Sequence, residues 1–303
     1  MASEGTYYVP EQSKLPIIVG LSMGVAAYGA GSIMIDGSMT ALIVGLTVMW
    51  GALAYWWNLV IKENMQGLVD AQLKRSYVWG IGWFIFSEVM FFAAFFGALF
   101  YVRNVALPTL GGWGMGEANP EAWGGFENAW PLMETPDQSL NGAAAVMTGP
   151  ENSMRFEGWD FGKLAKWLPL YGTLILMTSS WTVHVAHHKL KHGDQRASFN
   201  RWLLATVILG ATFLCLQAYE YYEAYHHYGL TLDSGIYGAT FFMLTGFHGA
   251  HVTMGTIMLA IQLIRSYKGH FKEDDHFGFE MASWYWHFVD VVWVMLFFFV
   301  YIL

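Results

Sequence analysis

Long apolar runs divided by short polar ones set the pattern of this chain. Seven runs are long enough to cross a bilayer core as helices: about Pro16–Ile35, Gly37–Ile61, Ser76–Val102, Trp167–His187, Trp202–Tyr222, Ser234–Ile264 and Phe277–Leu303. Only Asp36 and Gly37 separate the first two, which predicts a tight helical hairpin. No repeat interrupts the rest, so the spans are expected to form one bundle. A polar stretch at 107–161 stands between spans three and four, rich in Gly, Pro, Asn and Trp. It is too long for an ordinary loop and too aromatic for a plain linker. It is expected to fold as a polar cap facing outward.

Composition agrees with the pattern. Charged residues make up 13% of the 303 residues, about half the share of a soluble domain, so this is an all-α polytopic membrane protein. Lys and Arg set its expected orientation. Eleven lie at the N-terminus and in the loops after spans two, four and six, against four on the other side. The N-terminus is expected to be cytoplasmic and the C-terminus periplasmic. The start, MASEGTYYVPEQSKLP, has no basic segment ahead of an apolar one, so no cleavable signal is expected. One cysteine, Cys215, excludes an intrachain disulfide, a thiolate zinc site and an iron–sulfur cluster. Scarce, scattered basic residues exclude nucleic acid as a partner.

Charge inside the spans is where chemistry is expected. Glu88 is the sole charge in the 27 residues from Ser76 to Val102, and its helical neighbours include Phe84, Ile85, Phe91, Phe92 and Phe95. An ionised carboxylate there costs roughly 3 kcal/mol or more, so it must be compensated, protonated or used. His248 and His251 lie three apart in span six and read as a mutually satisfied polar pair more than as metal ligands. Glu280, His287 and Asp290 crowd span seven and must face protein, as a polar network or a proton relay. His184, His187 and His188 form HxxHH, a pattern that membrane di-iron oxygenases use in several copies; this chain has one copy. No metal site is expected. Trp57 and Glu63 end span two, while Arg265, Lys268 and His270 follow span six. An aromatic beside cations at headgroup depth suits a phospholipid.

Five runs together carry a resemblance: WFIFSEVMFFAAFFGALFY, AHHKLKHGD, LQAYEYYEA, GFHGAHVTMGTI and HFGFEMASWYWHFVDVVW. They resemble subunit III of haem-copper cytochrome c oxidases, and the long insert and the N-terminal segment look like the bacterial branch. The resemblance implies seven helices in a V, two in one arm (1–66) and five in the other (67–303), with phospholipids in the cleft. It implies an accessory subunit without a catalytic residue, bound mainly to subunit I and also to subunit II. Haem and copper would belong to those partners, and cytochrome c would be the donor to the complex. It implies support of proton uptake by subunit I and a bacterial inner membrane. Glu88 matches the family's buried carboxylate, and Trp57, Glu63, Arg265, Lys268 and His270 match headgroup positions. Leu68 and Val69 stand where relatives often carry histidines. A quinol oxidase subunit, which commonly lacks the N-terminal hairpin, is the nearer alternative. A di-iron oxygenase is the distant one.

Overall fold

A computed structural model describes residues 12–35, 37–111, 126–156, 158, 161–164, 167–191, 195–271 and 276–303. Asp36 of the expected hairpin turn, and Lys166 and Lys272 among the basic residues counted for orientation, lie outside the described residues. The described residues form helices and connectors with no strand among them. Seven of these helices exceed 18 residues: α1 (Leu15–Ile33), α2 (Thr40–Met65), α3 (Ala71–Tyr101), α4 (Leu168–Lys191), α5 (Arg196–His227), α6 (Gly235–Tyr267) and α7 (Phe277–Leu296). The chain packs as two units, 1–80 and 81–303.

In the first unit α1 and α2 lie against each other. A side chain at Gly29 would strike the Leu42 backbone, and one at Gly45 the backbone of Ala26. Small residues let helix backbones approach closely, which is how apolar helices associate where lipid offers no hydrophobic drive. The connector is longer than the two residues expected. It runs from 34 to 39, because Gly37 N–H returns to the Ser32 carbonyl at 2.8 Å and Ser38 bonds the Thr40 hydroxyl at 2.7 Å. Asp70 then opens α3, its carboxylate accepting from Leu73 N–H at 2.7 Å.

In the second unit α4 packs on α5, α5 on α6, α6 on α7, and α7 returns to α4. The most deeply buried large side chains include Trp286, Trp293 and Tyr285 of α7. Trp286 fits between two glycines: a Cβ at Gly210 or Gly255 would come within 2.7 or 2.8 Å of its ring. Phenylalanines hold α3 to this group, with Phe92 facing Phe288 and Phe91 facing Phe247. Phe100 is 65% exposed. Large apolar side chains on the outside and polar ones within are the arrangement lipid selects.

Six of the seven long helices are apolar enough to cross a membrane; α4 is not among them. Its composition is diluted by hydroxyls whose bonds stay inside the bundle. Thr173 accepts from Trp293 Nε1 at 3.0 Å, Ser179 from Trp286 Nε1 at 3.1 Å, and Thr182 meets Thr206 at 2.8 Å. A hydropathy average cannot see that these groups face protein. The third span also differs from its expected end at Val102. Its helix continues through a π turn, Val102–Ala106, to Leu110. Arg103 does not stop it because its guanidinium donates to the carbonyls of Phe299 and Leu303 at 3.3 and 2.8 Å, and the wider turn precedes Pro108.

The described part of the insert is folded. Thr135 and Gln138 form a reciprocal capping box at the start of Pro136–Asn141. Asp137 accepts from the N–H groups of Val146 and Met147 at 2.7 and 2.9 Å. Hydrogen bonds fasten the segment to the bundle: Glu151 N–H and Asn152 N–H to the Tyr228 carbonyl, Met154 N–H to the Tyr237 hydroxyl, Phe156 N–H to the Tyr301 carbonyl, and Arg155 to the Ile302 carbonyl; Arg155 also donates to the insert's own Trp130 carbonyl.

Candidate functional site

Glu88 lies midway along α3 and meets His251 of α6. Its Oε2 is 2.9 Å from His251 Nε2. The other ring nitrogen, Nδ1, is 2.6 Å from the Phe247 carbonyl. A carbonyl can only accept, so Nδ1 carries a hydrogen. Phe91, Phe92, Phe288 and Tyr285 ring the imidazole. Sequence spacing paired His251 with His248, but the fold gives them separate partners. His248 is fully buried, with Nε2 3.2 Å from the Val289 carbonyl and its ring between Phe213 and Trp293.

The polar residues of α7 divide between two places. His287 Nδ1 bonds the Ser180 hydroxyl at 2.9 Å and lies 3.9 Å from Asp290 Oδ2, a buried carboxyl. Glu280 sits about two turns before His287, where α7 begins, 3.2 Å from His187 Nε2 and 3.7 Å from Lys191 Nζ. Thus HxxHH does not act as one face: His187 turns to Glu280, while His184 and His188 are exposed. The sequence reading did not pick out Glu220, which is buried at 3% exposure beside Tyr301. Its signal was present. Gln217, Glu220 and Ala224 are spaced on one face of α5 and all are buried, while Glu223 is half-buried.

The five residues expected at headgroups fall in separate units. Trp57 is exposed near the end of α2, edge-on to Trp50 at 6.5 Å, and half-buried Glu63 follows two turns later. Gly67, at φ 75°, turns the chain out of that helix. In the second unit Gly269, at φ 74°, ends α6, and the His270 N–H returns to the Arg265 carbonyl at 3.0 Å. Arg265 lies over the Phe271 ring at 5.0 Å and donates to Gln262 at 3.0 Å. Lys268 is exposed. Partial burial, then the charges of Arg265 and Lys268, push the His270 imidazole below its ordinary pKa. The end of α6 therefore offers two cations and a histidine held toward neutrality, a set suited to an anionic or zwitterionic headgroup.

Comparison with known proteins identifies the family. The family model described as cytochrome c oxidase subunit III matches residues 5–120 and 165–303, which include all seven long helices and leave out most of the insert. The cytochrome c oxidase subunit 3 of Bos taurus is 35% identical over 294 residues, covering 96% of this chain and 94% of that protein. That of Danio rerio is 36% identical over 261 residues, covering 86% and 82%. That of Scyliorhinus canicula is 37% identical over 261 residues, with the same coverage. By the match across all seven long helices and by these relatives, the chain belongs to the cytochrome c oxidase subunit III family.

Proposed function

We propose that this chain is the non-redox third subunit of a proton-pumping cytochrome c oxidase. It stabilises subunit I, also contacts subunit II, and sustains proton uptake while the complex takes electrons from cytochrome c and reduces O₂. Haem and copper reside in the partner subunits. The seven helices span a bacterial inner membrane as arms of two and five, with the N-terminus cytoplasmic and the C-terminus periplasmic. Phospholipid headgroups bind at Trp57, Glu63, Arg265, Lys268 and His270.

The observation that carries this reading is the extent of the family match. It runs through α1 and α2 as well as α3–α7, which favours the cytochrome c branch over a quinol oxidase. The pairing inside the membrane supports a supporting role. Glu88 is taken up by His251, His248 by a carbonyl and His287 by Ser180. In HxxHH, His187 meets Glu280 while His184 and His188 are exposed, so the fold does not favour the oxygenase alternative.

The test is to delete the chain from its host and purify the oxidase that remains. The haem spectrum should persist, while proton uptake slows and activity decays faster during turnover. An oxidase that keeps its uptake rate and its lifetime without this chain would overturn the proposal. Stoichiometric iron in the isolated chain would do so as well.

A further inference from the structure

Polar atoms without hydrogen-bond partners follow one another inward from beneath the insert. Ser153 Oγ, Glu220 Oε1 and Gln217 Oε1 are all buried, and none has a partner among the described residues. Ser153 belongs to the insert, while Glu220 and Gln217 belong to α5. Three adjoining cavities take in these residues in order. The outermost, about 320 Å³, is lined by Ser153, Arg155, Lys163, Trp167 and Tyr228. The next, about 120 Å³, shares Ser153, Arg155, Trp167 and Tyr228 with it and reaches Glu220 and Glu223. The innermost, about 10 Å³, shares Leu168, Pro169 and Glu220 with the second and ends at Gln217, Phe213 and Trp293.

Buried polar atoms of folded proteins are almost all bonded, to protein or to water. The plainer account is a bond between Glu220 and the Tyr301 hydroxyl, which stands beside it and lacks a partner too. That bond leaves Ser153 and Gln217 unanswered, one on each side of Glu220. Gln217 already gives its amide nitrogen to the Thr245 carbonyl at 2.7 Å. The Thr245 hydroxyl donates to the Phe241 carbonyl, so the Tyr221 hydroxyl must donate to Thr245 and not to Gln217.

Charge selects the occupant. Arg155 and Lys163 flank the outer cavity, and Arg155 is fixed there by the carbonyls of Trp130 and Ile302. They oppose metal cations, as Glu220 and Glu223 farther in oppose anions. Water is neutral, both donates and accepts, and fits even the innermost cavity, whose volume is about that of one water site. Glu220 has the like charge of Glu223 near it and no ion pair among the described residues, so charge balance leaves the carboxyl neutral.

We propose that water enters beneath the insert and reaches Glu220, which makes this carboxyl a proton-exchanging site open to the side of the membrane on which the insert lies. The site is separate from the Glu88–His251 pair.

The test takes infrared spectra of the intact complex that carries this chain, transferred from H₂O to D₂O. The carboxyl band lost in Glu220→Gln should shift to lower frequency at once. Ser153→Leu, a change on the insert that narrows the passage, should keep the band and delay its shift. A band that shifts only when the amides of α5 exchange would overturn the proposal, as would a shift equally fast in Ser153→Leu. So would a carboxylate doublet lost in Glu220→Gln, since no proton is then held for exchange. A high-resolution map of the wild-type complex reads out even where Glu220→Gln fails to assemble. It should show ordered water within hydrogen-bond distance of Ser153 Oγ and Glu220 Oε1, and a map dry at both would overturn the proposal.

Discussion

The Glu88 carboxyl and the His251 imidazole hold one proton between them. His251 Nδ1 is committed as a donor to the Phe247 carbonyl at 2.6 Å. Its Nε2, 2.9 Å from Glu88 Oε2, must then accept a hydrogen from the carboxyl or be part of a doubly protonated ring facing a carboxylate. Either way the pair is neutral as a unit, which is what a low-dielectric bundle tolerates.

Infrared difference spectra locate that proton. A protonated, hydrogen-bonded carboxyl band should vanish in Glu88→Gln and shift in His251→Gln, where the acceptor nitrogen is gone. A carboxylate doublet that disappears in Glu88→Gln would instead place the proton on His251.

The end of α6 predicts lipid behaviour. Arg265→Ala should lower the phospholipid retained by the purified complex without altering its haem spectra. His270 adds a pH dependence whose sign follows from its lowered pKa. It is neutral at pH 7 and gains charge only below its ordinary range near 6.5. Retention of anionic lipid should therefore rise as pH falls below His270's ordinary range, and His270→Gln should abolish the rise. Equal lipid content in wild type and Arg265→Ala would remove the headgroup role.

Gly210 should tolerate nothing larger. A Cβ there meets the Trp286 ring at 2.7 Å and the Thr256 hydroxyl at 2.8 Å, and Trp286 is fully buried. Gly210→Ala should cost about 1–3 kcal/mol, the usual range for overpacking. Heating the complex and following dissociation of this subunit gives the measurement.

Arg155 bridges two carbonyls, those of Trp130 and Ile302, at 3.0 and 3.2 Å. Arg155→Met leaves both acceptors short of a donor, at about 1–3 kcal/mol for each acceptor left unsatisfied and buried. Hydrogen exchange at Phe156, whose N–H bonds the Tyr301 carbonyl, should speed up while the centre of α7 keeps its protection.

Asp137 gives the insert an acid limit. Hydrogen bonds from Met147 N–H, Asn141 and Val146 N–H hold its carboxyl below the usual range. A depressed carboxyl contributes stability above its unfolded pKa, near 3.9, and loses it as pH falls through the folded value. Amides 146 and 147 should thus stay protected at pH 5 and exchange rapidly in strong acid. Asp137→Asn should lose the pH dependence.

The helices were legible because their apolar runs are long, and Glu88 stood out because nothing near it is charged. What could not be read was direction. His248 and His251 share a spacing, yet one faces α7's backbone and the other faces α3, a difference set by helix packing. The hydroxyls of α4 lower its apolarity, but their partners Trp286 and Trp293 lie more than 100 residues away. The helix beyond Arg103 survives through carbonyls nearly 200 residues on. Glu220 carried a same-face signal with Gln217 that spacing alone exposes.

The fit of Trp286 between Gly210 and Gly255 bears on how this family can drift. The indole and the two glycines come from three different helices, so no single substitution can explore new space there. A smaller residue at 286 empties room on both sides, and a larger one at 210 or 255 has nowhere to go while the indole stays. Relatives that abandon one member of this trio should be found to have changed another. A selection for suppressors of Gly210→Ala should return changes at position 286 before any elsewhere.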